Sequence, residues 1–138
     1  AVQLHGSESV IYCQQLKELL RVRLPFRKLE IIKAFGIFPG FDFNQLTQFN
    51  DVVDYFLFDT KTAEHGGSGI AFDWKILDHY SGLKPYFLSG GLSPENISEI
   101  SNLKPEQLYG IDLNSKFELE PGLKDINSLK SVFELIGK

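Results

Sequence analysis

Apolar residues along this chain follow two alternating rhythms. Short continuous runs begin at Val2 (VQLH), Leu29 (LEIIKAF), Tyr55 (YFLFDT), Pro85 (PYFLSG) and Tyr109 (YGIDL), with starts 27, 26, 30 and 24 residues apart. Runs of this length bounded by turn residues predict strands. Between them the apolar spacing is helical. Val10, Cys13, Leu16 and Leu20 would share one face of a first helix, with Gly6 breaking the strand before it and Ser7 placed to cap. FDFNQLTQFN predicts a shorter helix with Asp42 or Asn44 available as cap, and FDWKILDHY and SPENISEISNL predict two more. KDINSLKSVFELI predicts a last helix with Ile126, Leu129, Val132, Phe133 and Ile136 on its buried side.

Strands alternating with helices at this spacing imply βαβ units and a parallel sheet. A doubly wound open sheet would gather its ligands at a switch in strand order. A (β/α)8 barrel gathers them at the C-terminal ends of all its strands. Polar residues stand at strand ends in every unit but the second: His5, Asp59 and Thr60, Ser89, Asp112 and Asn114. That ring of positions fits the barrel. A barrel takes eight units and about 250 residues, whereas five units are counted here, so residues 1–138 are expected to be the C-terminal part of one barrel domain. Such a part would carry two open sheet edges and leave inward-facing residues such as Tyr55 and Leu57 uncovered. The expected partner is then a second copy of the chain or the N-terminal segment.

Composition narrows the partners. The net charge is −4, and the 14 basic residues form no block longer than two. Nucleic acid and anionic membrane surfaces both call for a dense basic stripe, so neither is expected. A small anion remains compatible, because backbone N–H groups can bind one locally. One cysteine excludes an internal disulfide and points to a reducing, cytoplasmic setting. Cys13 lies on the apolar face of its helix, so it reads as core and not as a nucleophile.

The richest stretch is FLSGGLSPENI, where a strand runs into Ser89-Gly90-Gly91 and a helix follows with Ser93 as cap. Paired glycines admit a close ligand, and free N–H groups at a helix start favour an anion. A plain tight turn is the bland alternative. IDLNSKFELEPG adds Asn114 and Ser115 directly after the next strand, where a barrel's second phosphate loop and short extra helix belong; capping by Asn114 is the alternative there. Lys116 could add charge or simply be solvated. GGSG at 66–69, with Gly67 at its centre, lacks the ending of a nucleotide P-loop and remains a hinge, a backbone contact to the ligand or a connector. Asp59 and Asp112 close two strands and would sit at the mouth of a pocket, where carboxylates suit general acid–base work. His5 is a candidate hydrogen-bonder to substrate, and His65 and His79 read as structural or solvated.

Taken in order, VQLHG, FLFDT with GGSGIAFDW, FLSGGLSPENI and YGIDLNS with FELEPGLKD resemble the phosphoribosylanthranilate isomerase family of tryptophan biosynthesis. The resemblance covers the whole chain and implies a (β/α)8 barrel from its fourth strand onward. It implies an Amadori rearrangement of N-(5′-phosphoribosyl)anthranilate, an aminoaldose-to-aminoketose conversion with no metal and no other cofactor. Asp59 matches the family's general acid. Gly90, Gly91, Asn114 and Ser115 fall on its phosphate loops, and His5 and Asp112 match polar positions lining the pocket. Two departures stand out. Asn114-Ser115-Lys116 replaces a Ser-Ser-Gly run, and the family's cysteine base and anthranilate-binding arginine belong to segments this chain lacks. Cys13 cannot replace that base from a helix after the fourth strand. Other phosphate-binding barrels of tryptophan and histidine biosynthesis, and a non-catalytic phosphate-binding or assembly module, are the rival readings.

Overall fold

The computed structural model describes residues 1–60, 73–103 and 106–136. Five strands form where the apolar runs lie: β1 Val2–Leu4, β2 Ile31–Ile37, β3 Tyr55–Thr60, β4 Tyr86–Ser89 and β5 Leu108–Ile111. All four neighbouring pairs are parallel, in the order β1-β2-β3-β4-β5. Parallel neighbours need a crossover, and the helical segments supply it. Among the described residues the order never reverses, so the sheet they form has no switch point of the doubly wound kind. The fold is α/β around a sequentially wound parallel sheet.

The helices depart from expectation in informative ways. Helix α1, Val10–Arg23, is capped by Ser9 and not by Ser7; the Ser9 hydroxyl accepts from the Tyr12 N–H at 3.2 Å. Two residues earlier the chain is still in a turn, because the Gly6 N–H donates to the Glu8 carboxylate. The next three segments, Phe43–Phe49, Trp74–His79 and Ile97–Asn102, are 3-10 helices of six or seven residues. Asp42 and Asp73 cap the first two by accepting from the N–H groups of Asn44 and Lys75. Ser93 does not cap the third. Its N–H is taken by the Asn96 side chain at 2.8 Å and its carbonyl accepts from Asn96 and Ile97, so a turn precedes the helix.

Helix α2, Ile126–Ile136, starts where Asp125 accepts from Asn127 and Ser128. Its expected buried side is only half buried. Val132 is enclosed and Leu129 packs on the core, but Ile126 (59 %) and Phe133 (60 %) are exposed, as is Ile136. Periodicity tells which residues share a stripe; it does not supply a neighbour to cover them. FELEPGLK, unassigned by pattern, forms an antiparallel hairpin of β6 Glu118–Glu120 and β7 Leu123–Lys124 around Gly122, whose φ is 84°. The expected short extra helix is a single 3-10 turn, Ser115–Phe117.

Alternation sends β3 in two directions. Phe56, Phe58 and Thr60 are buried beneath the helices, in an aromatic cluster with Phe35, Phe43, Phe49, Tyr80 and Tyr86. Cys13 is fully buried in the same core, where burial pushes its thiol up from the ordinary value. On the other side Tyr55 joins Phe87 and Tyr109 at the strand starts. Leu57, expected to be uncovered, is only 4 % exposed, because Ala34 and Phe87 flank it in register. The register of β4 and β5 shifts between Tyr86 and Phe87. Tyr86 pairs with Leu108, but Phe87 pairs with Gly110, leaving Tyr109 as a bulge on the Phe87 side.

Candidate functional site

The strand ends decide which polar side chains can meet. Gly36, Asp59 and Ser89 are in register across β2, β3 and β4, and the Asp112 N–H donates to the Leu88 carbonyl just beyond β5. These positions share the sheet side opposite the helices, at its C-terminal edge. Asp59 is 20 % exposed, and its carboxylate stands 3.7 Å from Nε2 of His5 at the end of β1. The Gln3 side chain meets the other ring nitrogen of His5 at 3.3 Å. The Ser89 hydroxyl donates to Asp112 at 3.2 Å, and the Asn114 amide donates to the other Asp112 oxygen at 3.0 Å. One polar line therefore runs along the sheet edge, from His5 and Asp59 through Ser89 to Asp112 and Asn114.

The Gly90-Gly91 loop is held against this line. Both glycines have positive φ, 83° and 67°, a conformation open to glycine at little steric cost. Space gives a second reason at Gly90. A Cβ there would stand 2.5 Å from the Thr60 carbonyl oxygen and 2.6 Å from Oδ1 of Asp59. Gly90 is thus as much a condition for the position of Asp59 as a place for a ligand. The buried Thr60 hydroxyl meets the Ser89 and Gly90 carbonyl oxygens at 3.0 and 2.7 Å, and the Asn96 amide holds the Gly91 carbonyl at 2.7 Å. With those carbonyls engaged, the loop keeps one shape.

In the second loop Asn114, Ser115 and Lys116 are exposed. The Asn114 side chain caps no helix; it joins Asp112 and Lys124 instead. Lys124 Nζ also reaches the Leu113 carbonyl at 2.9 Å and Glu118 at 2.8 Å. The hydrogen bond from Lys124 holds the Glu118 carboxyl below its ordinary range. Gly67, GGSG and His65 lie outside the described residues. His79 lines a separate cavity of about 520 Å³ between the Phe43–Phe49 and Trp74–His79 helices, which none of the expected site residues lines. Thr60 and Asn96 act on the loop in ways the sequence reading missed. Thr60 had a visible signal, a polar residue ending an apolar strand, whereas Asn96 had none, since any Asn in a turn looks the same.

A family model described as N-(5'phosphoribosyl)anthranilate (PRA) isomerase matches residues 1–135. The chain belongs to the phosphoribosylanthranilate isomerase family. Curated relatives bear the same name. The N-(5'-phosphoribosyl)anthranilate isomerase of Parabacteroides distasonis is 47% identical over 135 residues, 98% of this chain and 58% of that protein. Those of Phocaeicola vulgatus and Petrotoga mobilis are 43% and 44% identical, over 94% and 98% of this chain and 62% and 59% of their own lengths. The chain thus spans about three-fifths of the length of these relatives. No solved structure matches the chain. Among the described residues, no helix is long and apolar enough to cross a membrane.

Proposed function

We propose that this chain carries the acid side and the phosphate grip of an N-(5′-phosphoribosyl)anthranilate isomerase. Its five strands would be the fourth to eighth of a (β/α)8 barrel, in one domain working in the cytoplasm. The observation that carries the reading is the packing of Gly90 against Asp59, which joins a carboxylate to a glycine loop at the end of adjacent strands. Backbone N–H groups around Gly90, Gly91, Asn114 and Ser115 would take the substrate phosphate.

In the reaction Asp59, as the acid, donates its proton to the ribose ring oxygen while the C1–O bond breaks. The anilino nitrogen lone pair moves in behind it, forming the C1=N iminium. Removal of the C2 proton then gives an enolamine, which tautomerises to the aminoketose. That second step calls for a base, which the family resemblance assigns to a cysteine on the first strand. His5 would steady Asp59 from one side, and Asp112 would face the ribose end of the pocket. In the complete enzyme Asp59→Asn should lower kcat by roughly 10²–10⁴-fold with little change in KM. A purified variant with wild-type kcat would remove Asp59 from the acid role.

A second reading concerns the 138-residue chain by itself, and the exposed Ile11, Leu19 and Val22 on α1 and Phe133 and Ile136 on α2 favour it. Apolar flanks of this kind drive association, so the isolated chain would act as an assembly module without turnover. Light scattering should find dimers or larger species; a monodisperse monomer would reject this reading.

A further inference from the structure

A lysine in the middle of an apolar strand needs an explanation. Lys33 in β2 points to the helix side, in register with Phe56, and its side chain is 3 % exposed. Its ammonium donates to the Gly6 carbonyl at 2.7 Å and the Ala34 carbonyl at 3.0 Å, and pairs with Glu8 at 3.1 Å. Three protons meet three acceptors. The Glu8 carboxylate in turn accepts from the Gly6 N–H with both oxygens, at 3.2 and 3.0 Å. Both peptide groups of Gly6 are therefore held, the N–H by Glu8 and the carbonyl by Lys33.

Gly6 directly follows His5. β1 has three residues and one strand neighbour among the described residues, and the His5 side chain is more than half exposed. Apart from the Gln3 side chain at its other ring nitrogen, little else keeps an exposed imidazole at the end of a short edge strand beside one carboxylate. A buried ion pair contributes little net stability compared with apolar residues of the same size, so stability is a weak reason for a lysine here. We propose that the Lys33–Glu8 pair is a positioning device, which holds the turn at Gly6 and thereby fixes the His5 imidazole against Asp59.

The consequence for catalysis rests on the acid role proposed for Asp59; the geometry does not. The test therefore reads the geometry first, by NMR of the His5 ring. In the unaltered protein, Asp59→Asn should shift the His5 Hε1 resonance, since a charge 3.7 Å from the ring is lost. In a Lys33→Met background, which keeps length and volume, the same substitution should shift it at least roughly twofold less. Cys13, the fully buried residue of α1, serves as the folding control and should stay unreactive to a thiol reagent. If Lys33→Met exposes Cys13, Glu8→Gln carries the same comparison. An undiminished Asp59→Asn shift in either folded variant overturns the proposal, and so does unfolding of both, which would make the pair a stability element. In the complete enzyme Lys33→Met should lower kcat about tenfold with KM little changed. Unchanged kcat with the NMR coupling lost would leave the positioning intact and count against the acid reading alone.

Discussion

Residues 56, 58 and 60 and residues 55, 57 and 59 share one six-residue strand and live in different surroundings. The first set is buried against segments this chain itself supplies. The second set runs from a tyrosine shared with Phe87 and Tyr109, through Leu57, to the carboxylate at the mouth. One step along the strand separates what holds the fold from what the proposed chemistry would use. Stability and activity should accordingly respond to different substitutions, although every residue concerned lies on the same backbone.

The largest effect should come from Phe58→Ala, which removes a fully buried ring packed on Phe43, Phe56, Tyr80 and Tyr86. Denaturant unfolding should show a loss of about 3–5 kcal/mol. Tyr55→Ala on the other side should cost less than half as much, and equal losses would break the comparison. Next is Gly90→Ala, which sits where the two sets meet. Positive φ and a Cβ 2.5 Å from the Thr60 carbonyl should together cost about 2–3 kcal/mol. Because the same Cβ would meet Asp59, amide shifts of residues 114 and 115 on adding inorganic phosphate should also change. A variant as stable as the parent, with an unchanged phosphate response, would show that the loop is free to move.

Acid should give the smallest effect and the sharpest division. Hydrogen bonds from Lys124 to Glu118 and from Ser128 to Asp125 hold both carboxyls below their ordinary values of 4.5 and 3.8. A lowered folded value contributes stability that is complete above the ordinary value and is lost as pH falls through the folded one. Thermal unfolding should be flat above about pH 5 and decline below about pH 4. Amide exchange should rise first in residues 112–128 and last in β3, since Glu8, paired with Lys33 of β2, is also held below its ordinary value. Uniform loss across the sheet would erase the distinction.

All five strands were readable because each is an apolar run bounded by turn residues, and only their ends moved by a residue or two. Their sequential order was readable from where Asp59, Ser89 and Asp112 fall. The exposed side of α2 was not readable, because Phe133 and Val132 look alike in a pattern and differ only in what lies over them. Lys33 escaped notice for the opposite reason: a lysine normally signals solvent, and two of its three acceptors, Gly6 and Glu8, lie more than 20 residues away in sequence. Gly90 was picked out for the ligand, and the reason found in the packing was Asp59.

The bulge at Tyr109 acts as a reading-frame correction. Regular pairing onward from Tyr86 and Leu108 would bring Phe87 to Tyr109, Leu88 to Gly110 and Gly90 to Asp112. The extra residue moves every later partner by one, so Gly110 meets Phe87 and Asp112 falls level with Ser89. Since a strand alternates its sides, that single insertion decides whether Asp112 faces the mouth or the helices. Deleting Tyr109 would therefore give regular pairing with Asp112 still level with Ser89, so the Ser89–Asp112 hydrogen bond should survive that deletion, whereas pairing all the present residues without the bulge would turn Asp112 toward the helices.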